Sequence, residues 1–112
     1  MVKPEDTFEM EAEVGTDKIP LTNNTVPPNK FARKVYGMLI HNNAATANTL
    51  TLTIERDATV ERTLPPITLD AYASLDVYRS MDAPLFTMNP GQNIKAVASS
   101  KTISVMLQAY DL

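Results

Sequence analysis

The chain has 112 residues, a length that suits one compact domain built around a single core. Its formal net charge of -3 provides no cationic excess for phosphate backbones, and the absence of cysteine excludes disulfides and thiolate zinc sites. The first residues are charged where a signal peptide needs an apolar run, and no stretch is apolar for long enough to span a bilayer. We therefore expect a protein without a signal peptide that binds neither nucleic acid nor a membrane.

The N-terminal part of the chain begins with an alternation of apolar and acidic residues from Thr7 to Val14. A period of two predicts a strand, because at helical spacing the same apolar residues would be scattered around the axis. Pro and Asn are then frequent from Gly15 to Lys30, and these residues favour turns. We expect residues 1–30 to form a strand and an extended loop or arm. The alternative is a surface loop folded back on the domain.

Two long strands are predicted near the middle of the chain. The stretch from Lys34 to Asn42 is apolar on both faces, which is typical of a central strand, and Gly37 within it indicates a bulge or a close backbone approach. From Thr49 to Glu55, Thr alternates with Leu and Ile, which predicts a strand with one buried face. Pro65 and Pro66 must interrupt or bound whatever strand follows.

Shorter alternating stretches fill the rest of the chain. They are predicted at residues 60–64, on both sides of a turn within residues 67–80, at Leu85 to Met88, around Ile94 to Ala98, and around Ile103 to Ala109. Short strands separated by turns favour a sandwich or barrel over a mixed fold. We therefore predict an all-β fold: a single antiparallel β-sandwich or jelly-roll-like domain of about eight short strands at residues 31–112, with the extended N-terminal segment ahead of it.

Side chains that could carry chemistry are few. His41 is the only histidine, and it lies in an apolar strand without the acidic or histidine neighbours that metal sites need. It would also have to serve as the base of any serine triad, yet no serine lies in a nucleophile-elbow motif. Asp70, Asp76, Asp82 and Asp111 match no calcium loop. We expect no catalytic residues, no metal and no cofactor, and hence a protein that is not an enzyme.

The layout from Val35 onward is more informative. The stretches "KVYGMLIHNNAATANTLTLTIERD", "LPPITLDAYASLDVY" and "PLFTMNPGQNIKAVASSKTISVMLQAYDL" resemble small β-sandwich virion proteins of tailed phages and related viruses. The resemblance covers about two-thirds of the chain and is most specific from Pro84 to Ser99. The sequence departs from the pattern at Gln92, where Asp is common, and from Asp70 to Ala73, where a Gly- or Asn-rich turn is expected.

The resemblance implies a non-enzymatic structural protein of the virion, assembled in the host cytoplasm. Its expected role is a capsid decoration or cement protein that binds the virion lattice and stabilises it, with a tail or neck component as the alternative. Its expected partners are copies of itself in a homo-oligomer, such as a trimer, and the major capsid protein or other virion proteins. A carbohydrate- or receptor-binding module that uses Tyr72, Tyr78 or Tyr110 is a further alternative.

An adhesive N-terminal segment needs apolar anchors among polar residues, because buried apolar side chains contribute most of the binding free energy at interfaces. The predicted interface residues are Phe8, Met10, Leu21, Val26 and Phe31.

Overall fold

The computed structural model describes residues 6–100 and 102–112, so the first five residues of the predicted N-terminal segment lie outside the described residues. The described chain forms ten strands and confirms the predicted all-β fold. Their bounds are β1 Thr7–Val14, β2 Ile19–Thr25, β3 Arg33–Asn42, β4 Asn48–Arg56, β5 Thr59–Thr63, β6 Ile67–Leu69, β7 Ser74–Tyr78, β8 Phe86–Met88, β9 Asn93–Ala98 and β10 Ile103–Asp111.

Two antiparallel sheets pack face to face. The β1 sheet has the order β1, β10, β3, β7, with β8 also pairing with β3. The β2 sheet has the order β2, β9, β4, β5, with β6 also pairing with β4. Strands from the two halves of the chain thus interleave in both sheets, which is the strand order of a jelly roll. β5 and β6 pair with successive parts of β4, and β7 and β8 with successive parts of β3. Each of these two pairs therefore shares one strand position, or path, at the edge of a sheet, so the ten strands occupy eight paths, four in each sheet.

The core lies between the sheets and consists of the inward-facing residues of each alternating pattern. The fully buried side chains include Met10, Ile40, Leu50, Leu52, Ile54, Met88, Ile94, Ile103 and Leu107. The predicted irregularity at Gly37 is confirmed: the register between β3 and β10 shifts there, and a Cβ atom on Gly37 would collide with the side chain of Gln108. A larger residue at position 37 would therefore require the Gln108 side chain to move.

The segment from residue 15 to residue 30 contains β2, a strand that the sequence pattern does not predict. Ile19 pairs with Ala96 and Thr25 with Asn93, and the side chains of Leu21 and Val26 are buried in the core. The Pro and Asn residues are tolerated because β2 is an edge strand whose register against β9 is interrupted. In the described structure this part of the predicted arm belongs to the sandwich.

The turn "NPGQ" before β9 shows why Gln92 is compatible with the fold. The Gln92 N–H donates to the Asn89 carbonyl at 3.1 Å, and Gly91 has a φ of 83° after Pro90, as a type II turn requires. The Gln92 side-chain oxygen accepts the Asn89 N–H at 2.7 Å, and its Nε2 donates to Glu61 at 2.8 Å. Gln92 therefore closes the turn and ties it to β5.

Candidate assembly surfaces

A buried arginine holds one end of the sandwich together. Arg33 is 3% exposed, and its Nε and Nη2 donate to the two carboxylate oxygens of Asp111 at 2.7 and 3.0 Å. Its guanidinium also donates to the carbonyls of Asn23 and Thr25 and lies 4.6 Å from the centre of the Phe8 ring. Because these partners belong to β1, β2 and β10, the Arg33 guanidinium connects three strands to β3, and its bidentate pair holds β10.

An apolar patch lies at the same end of the molecule; we call Phe8, Phe31 and Leu112 the end patch. Phe31 is 88% exposed and Leu112 is 47% exposed. The Phe31 N–H donates to the Leu112 carbonyl at 2.7 Å, and the Leu112 N–H donates to the Ala32 carbonyl at 2.9 Å. The aromatic ring is therefore in solvent although the backbone that carries it is fixed.

The turn ahead of Phe31 explains this exposure. The Lys30 N–H donates to the Pro27 carbonyl at 3.1 Å, and the proline that follows Pro27 further restricts the turn. A concavity of about 850 Å³ lies beside the end patch and is lined by Asp6, Phe8, Lys30, Asp82, Tyr110, Asp111 and Leu112. The end patch is thus a rigid apolar projection beside a concave surface of mixed charge.

The free edge of β1 is closed by side chains of β2. The Glu11 N–H donates to the Thr22 hydroxyl at 3.0 Å, and the Asn23 side-chain amide donates to the Glu9 carbonyl at 3.2 Å. Because these bonds occupy backbone groups that a further strand would need, this side of the sandwich does not favour strand addition.

The opposite side of the sandwich is open. A cleft of about 280 Å³ lies between the sheets, and all its lining residues are apolar: Met38, Leu52, Leu64, Pro65, Ile67, Leu75, Val77, Leu85 and Phe86. The cleft exists because both edge paths are interrupted here, by Pro65 and Pro66 between β5 and β6 and by residues 79–85 between β7 and β8. At its rim the Arg62 Nη2 donates to the Thr87 carbonyl at 2.8 Å and bridges the two sheets.

The outer face of the β2 sheet carries a buried carboxylate. Glu55 is 2% exposed, and its carboxylate contacts the Lys18 Nζ at 2.7 Å and the Lys95 Nζ at 3.4 Å. The hydrogen bond from Lys18 is the main cause that holds the pKa of Glu55 below its ordinary value, against the opposing effect of burial. A hydrogen bond from Thr53 also lowers this pKa. Glu55 thus binds the loop before β2 to the middle of the sheet.

The polar side chains around His41 form a row across the β1 sheet. The Ser104 hydroxyl donates to the carboxylate of Glu13, and the His41 Nδ1 lies 2.6 Å from the Ser74 hydroxyl oxygen. Ser74 is thus the serine within hydrogen-bond distance of the histidine, whereas Ser104 is paired with a glutamate. Within the described residues, no group of three or more His, Cys, Asp or Glu side chains could hold a metal ion.

Three of the four tyrosines form one cluster, in which the Tyr36 ring centre lies 5.6 Å from that of Tyr78 and 6.1 Å from that of Tyr110. Tyr110 is buried, donates its hydroxyl to the Met81 carbonyl at 2.5 Å and packs against Tyr36. Burial raises the pKa of Tyr110, and the nearby Asp82 adds to this effect. Tyr72 and Tyr78 are 62% and 67% exposed, but Tyr72 lies in the turn before β7 and Tyr78 is the last residue of β7.

The five predicted interface residues fall into two groups. Met10, Leu21 and Val26 are buried in the core, where they hold β1, β2 and the turn that follows β2 in place. Their side chains would have to leave the core to contact a partner. Phe31 is exposed and Phe8 is partly buried, and both belong to the end patch. The interface prediction therefore rests on these two aromatic residues. The sequence pattern does not mark Leu112, because its place beside Phe31 depends on backbone hydrogen bonds with Phe31 and Ala32.

Comparisons with known proteins give likenesses of structure only. No protein-family model and no curated protein matches the sequence. A protein of the disulfide-linked pili that form Bacillus endospore appendages is 9% identical, with a TM-score of 0.48 over 96% of this chain and 86% of that chain. SPP1 Dit, described as a paradigm of the hub adsorption apparatus of phages that infect Gram-positive bacteria, is 15% identical, with a TM-score of 0.43 over 92% of this chain. This chain covers 47% of Dit, about half its length.

No helix within residues 6–100 and 102–112 could cross a membrane.

Proposed function

We propose that this chain is a non-enzymatic structural protein of a virion, which acts by binding copies of itself and neighbouring virion proteins. The finer form of the proposal is a capsid decoration or cement protein that stabilises the lattice, and a tail component is the alternative. The jelly-roll order of the strands supports it, because this topology is common in viral capsid proteins. The sequence resemblance to small virion proteins points the same way.

The observation that carries the proposal is the exposure of Phe31 on a fixed backbone. A single exposed apolar side chain is common, but a phenylalanine that projects from a hydrogen-bonded turn beside a second exposed apolar residue is typical of a binding surface. Its backbone is already ordered, so binding would cost little further conformational entropy. A buried phenylalanine contributes roughly 150 Å² or more of contact area. The flanking concavity would supply more of the roughly 800 Å² per partner that a stable interface needs.

The charged groups around the end patch would determine which partners fit. Asp6, Asp82 and Lys30 line the concavity beside Phe31 and Leu112. Charges at the rim of an interface mainly affect the association rate and the choice of partner, while the apolar centre provides most of the affinity. A partner surface should therefore offer an apolar pocket with a mainly cationic rim.

The test is the molar mass of the purified chain by light scattering over a wide concentration range, together with sedimentation in the presence of capsid shells. We expect the full chain to form an oligomer such as a trimer, to bind shells, or both. Phe31→Ala should weaken association about tenfold or more, as expected for an interface anchor.

The matched control is Tyr72→Ala, which removes an exposed aromatic side chain from the turn before β7 and should leave association unchanged. Circular dichroism of each variant checks that it is folded. A wild-type chain that remains a monomer at high concentration and does not bind shells or tail assemblies would contradict the proposal.

A carbohydrate-binding module is the second candidate, favoured by the exposure of Tyr72 and Tyr78 and by the occurrence of jelly rolls in lectins. A glycan array probed with the assembled protein tests it. Binding that is lost in Tyr78→Ala and retained in Phe31→Ala would favour this function over assembly.

A further inference from the structure

We infer that the apolar cleft between the two sheets is the site that receives Phe31 from a neighbouring copy of the chain. This inference rests on the proposed assembly function and adds to it the surface on which the end patch docks. The cleft and the end patch are different surfaces, so the contact is heterologous and extends from copy to copy until it closes into a ring or continues as a filament.

The lining of the cleft determines the chemistry of its occupant. All the side chains that line it are hydrocarbon or thioether groups, so a charged or hydroxyl group placed inside would lose its hydrogen bonds to water. Phe86 can contact an inserted ring edge to face, and the Met38 sulfur provides a polarizable neighbour for an aromatic group. A volume of about 280 Å³ accommodates one large apolar side chain. The occupant is therefore a hydrocarbon or phenyl group.

Within the described residues, six large apolar side chains are exposed enough to be candidates: Phe31, Leu39, Val60, Tyr72, Tyr78 and Leu112. The two tyrosines carry hydroxyl groups that the cleft could not pair. Leu39 and Val60 lie within strands, where the neighbouring backbone would prevent their side chains from entering a gap between two sheets. Phe31 projects from a turn and is the most exposed of the six, so it fits the cleft best, with Leu112 beside it.

The charges around the two surfaces are complementary. Arg62 bridges the two sheets beside the cleft, through its bond to the carbonyl of Thr87, the residue after Phe86, which lines the cleft. Asp6 and Asp82 lie beside the end patch, together with one cation, Lys30. Insertion of Phe31 would thus bring mainly acidic residues towards Arg62, which favours docking between copies over repulsion. Phe31 does not fill the cleft of its own chain, because its ring is in solvent.

Two variants, each deficient in one surface, test the inference. Phe31→Ala removes the inserted side chain, and Val77→Asp places a charge in the cleft. Each variant alone should associate about tenfold more weakly than the wild type or not at all. An equimolar mixture should form a dimer and stop there, because the Phe31 of one variant can enter the cleft of the other and no further contact is possible.

A second cleft variant, Ile67→Asp, replaces Val77→Asp in the test if Val77→Asp does not fold. Circular dichroism of each chain verifies the fold. Photo-crosslinking gives an independent readout. A benzoylphenylalanine at position 31 of the full chain should crosslink to a second chain within residues 64–67, 75–77 or 85–86, as identified by mass spectrometry.

The outcomes separate the inference from the proposed function. If the wild type associates and Phe31→Ala does not, but both cleft variants associate normally or the crosslinks lie outside the cleft, the inference is overturned and the proposed function stands. A wild-type chain that is monomeric at every concentration also overturns the inference, and shell binding then decides the proposed function. A dimer in the equimolar mixture of Phe31→Ala and Val77→Asp, together with crosslinks in the cleft, supports both the inference and the proposed function.

Discussion

At the scale of single residues, the strongest interactions join positions that are far apart in the sequence. Arg33 and Asp111 are separated by 78 residues, and the carboxylate of Glu55 contacts Lys18 and Lys95 on different strands or loops. No local pattern marks such residues. An arginine at the start of a strand, like Arg33, or a glutamate on the outer face of a sheet, like Glu55, usually remains in solvent. The sequence therefore does not reveal these three ion pairs, which join distant parts of the sandwich.

Glu55 makes the stability of the protein dependent on pH. Its pKa is lowered in the folded state, chiefly by the Lys18 hydrogen bond, so the stabilisation it provides is complete above its ordinary value of 4.5 and is lost as the pH falls through the folded-state pKa. We expect Glu55→Gln to lower the free energy of unfolding by about 1–2 kcal/mol at pH 7, because the partly exposed lysines moderate the gain. Urea titrations at pH 7 and in acid measure the difference, which should shrink in acid.

The control is Glu9→Gln, the same chemical change at an exposed position of β1. It should change the unfolding free energy by less than about 0.5 kcal/mol at either pH. An equal loss of stability for Glu55→Gln at both pH values would mean that packing of the side chain, and not its charge, is responsible.

At the scale of strands, prediction succeeds where alternation is strong. The predicted strand at Thr7 to Val14 coincides with β1, and the stretches from residue 34 to 42 and from 49 to 55 fall within β3 and β4. It fails at β2, because Pro20 and the Asn pair that follows weaken the pattern and an edge strand can be paired at only some of its positions. The cleft could not be predicted either, since it arises where two interrupted paths face each other in opposite sheets.

The N-terminal strands are part of the core, which predicts the result of truncation. A chain lacking residues 1–30 loses one edge strand from each sheet together with the buried side chains of Met10, Val14, Leu21 and Val26. We expect this chain to be unfolded, as judged by the absence of a cooperative thermal transition in circular dichroism. Truncation is therefore unsuitable for assigning an assembly role to this segment.

Single substitutions of Met10 measure how much the buried face of β1 contributes to the free energy of unfolding. Met10→Ala should lower the unfolding free energy by about 2–5 kcal/mol, whereas Met10→Leu, which conserves volume, should cost less than about 1.5 kcal/mol. A cooperative melt in the truncated chain, or a Met10→Ala variant as stable as the wild type, would show that β1 is dispensable for the fold.

At the scale of the whole molecule, the jelly roll pairs the two ends of the chain. Thr7 lies opposite Tyr110 and Val14 opposite Ile103, whereas β4 and β5 pair across a short turn. Long-range pairing must overcome a larger loop-closure entropy before its contacts can form. A fold dominated by such pairings should therefore fold in milliseconds to seconds, and the pairing of β1 with β10 should form late.

Two buried isoleucines provide a matched test of this order of events. Ile54 in β4 and Ile103 in β10 are both fully buried, and replacing either with valine should cost about 0.5–1.5 kcal/mol. Because β4 forms a local hairpin with β5, Ile54→Val should mainly slow folding, whereas Ile103→Val should mainly accelerate unfolding. Stopped-flow folding and unfolding rates over a range of urea concentrations separate the two effects. If Ile103→Val slowed folding as much as Ile54→Val, the chain ends would already be paired in the transition state, and the hairpin alone could not be the nucleus.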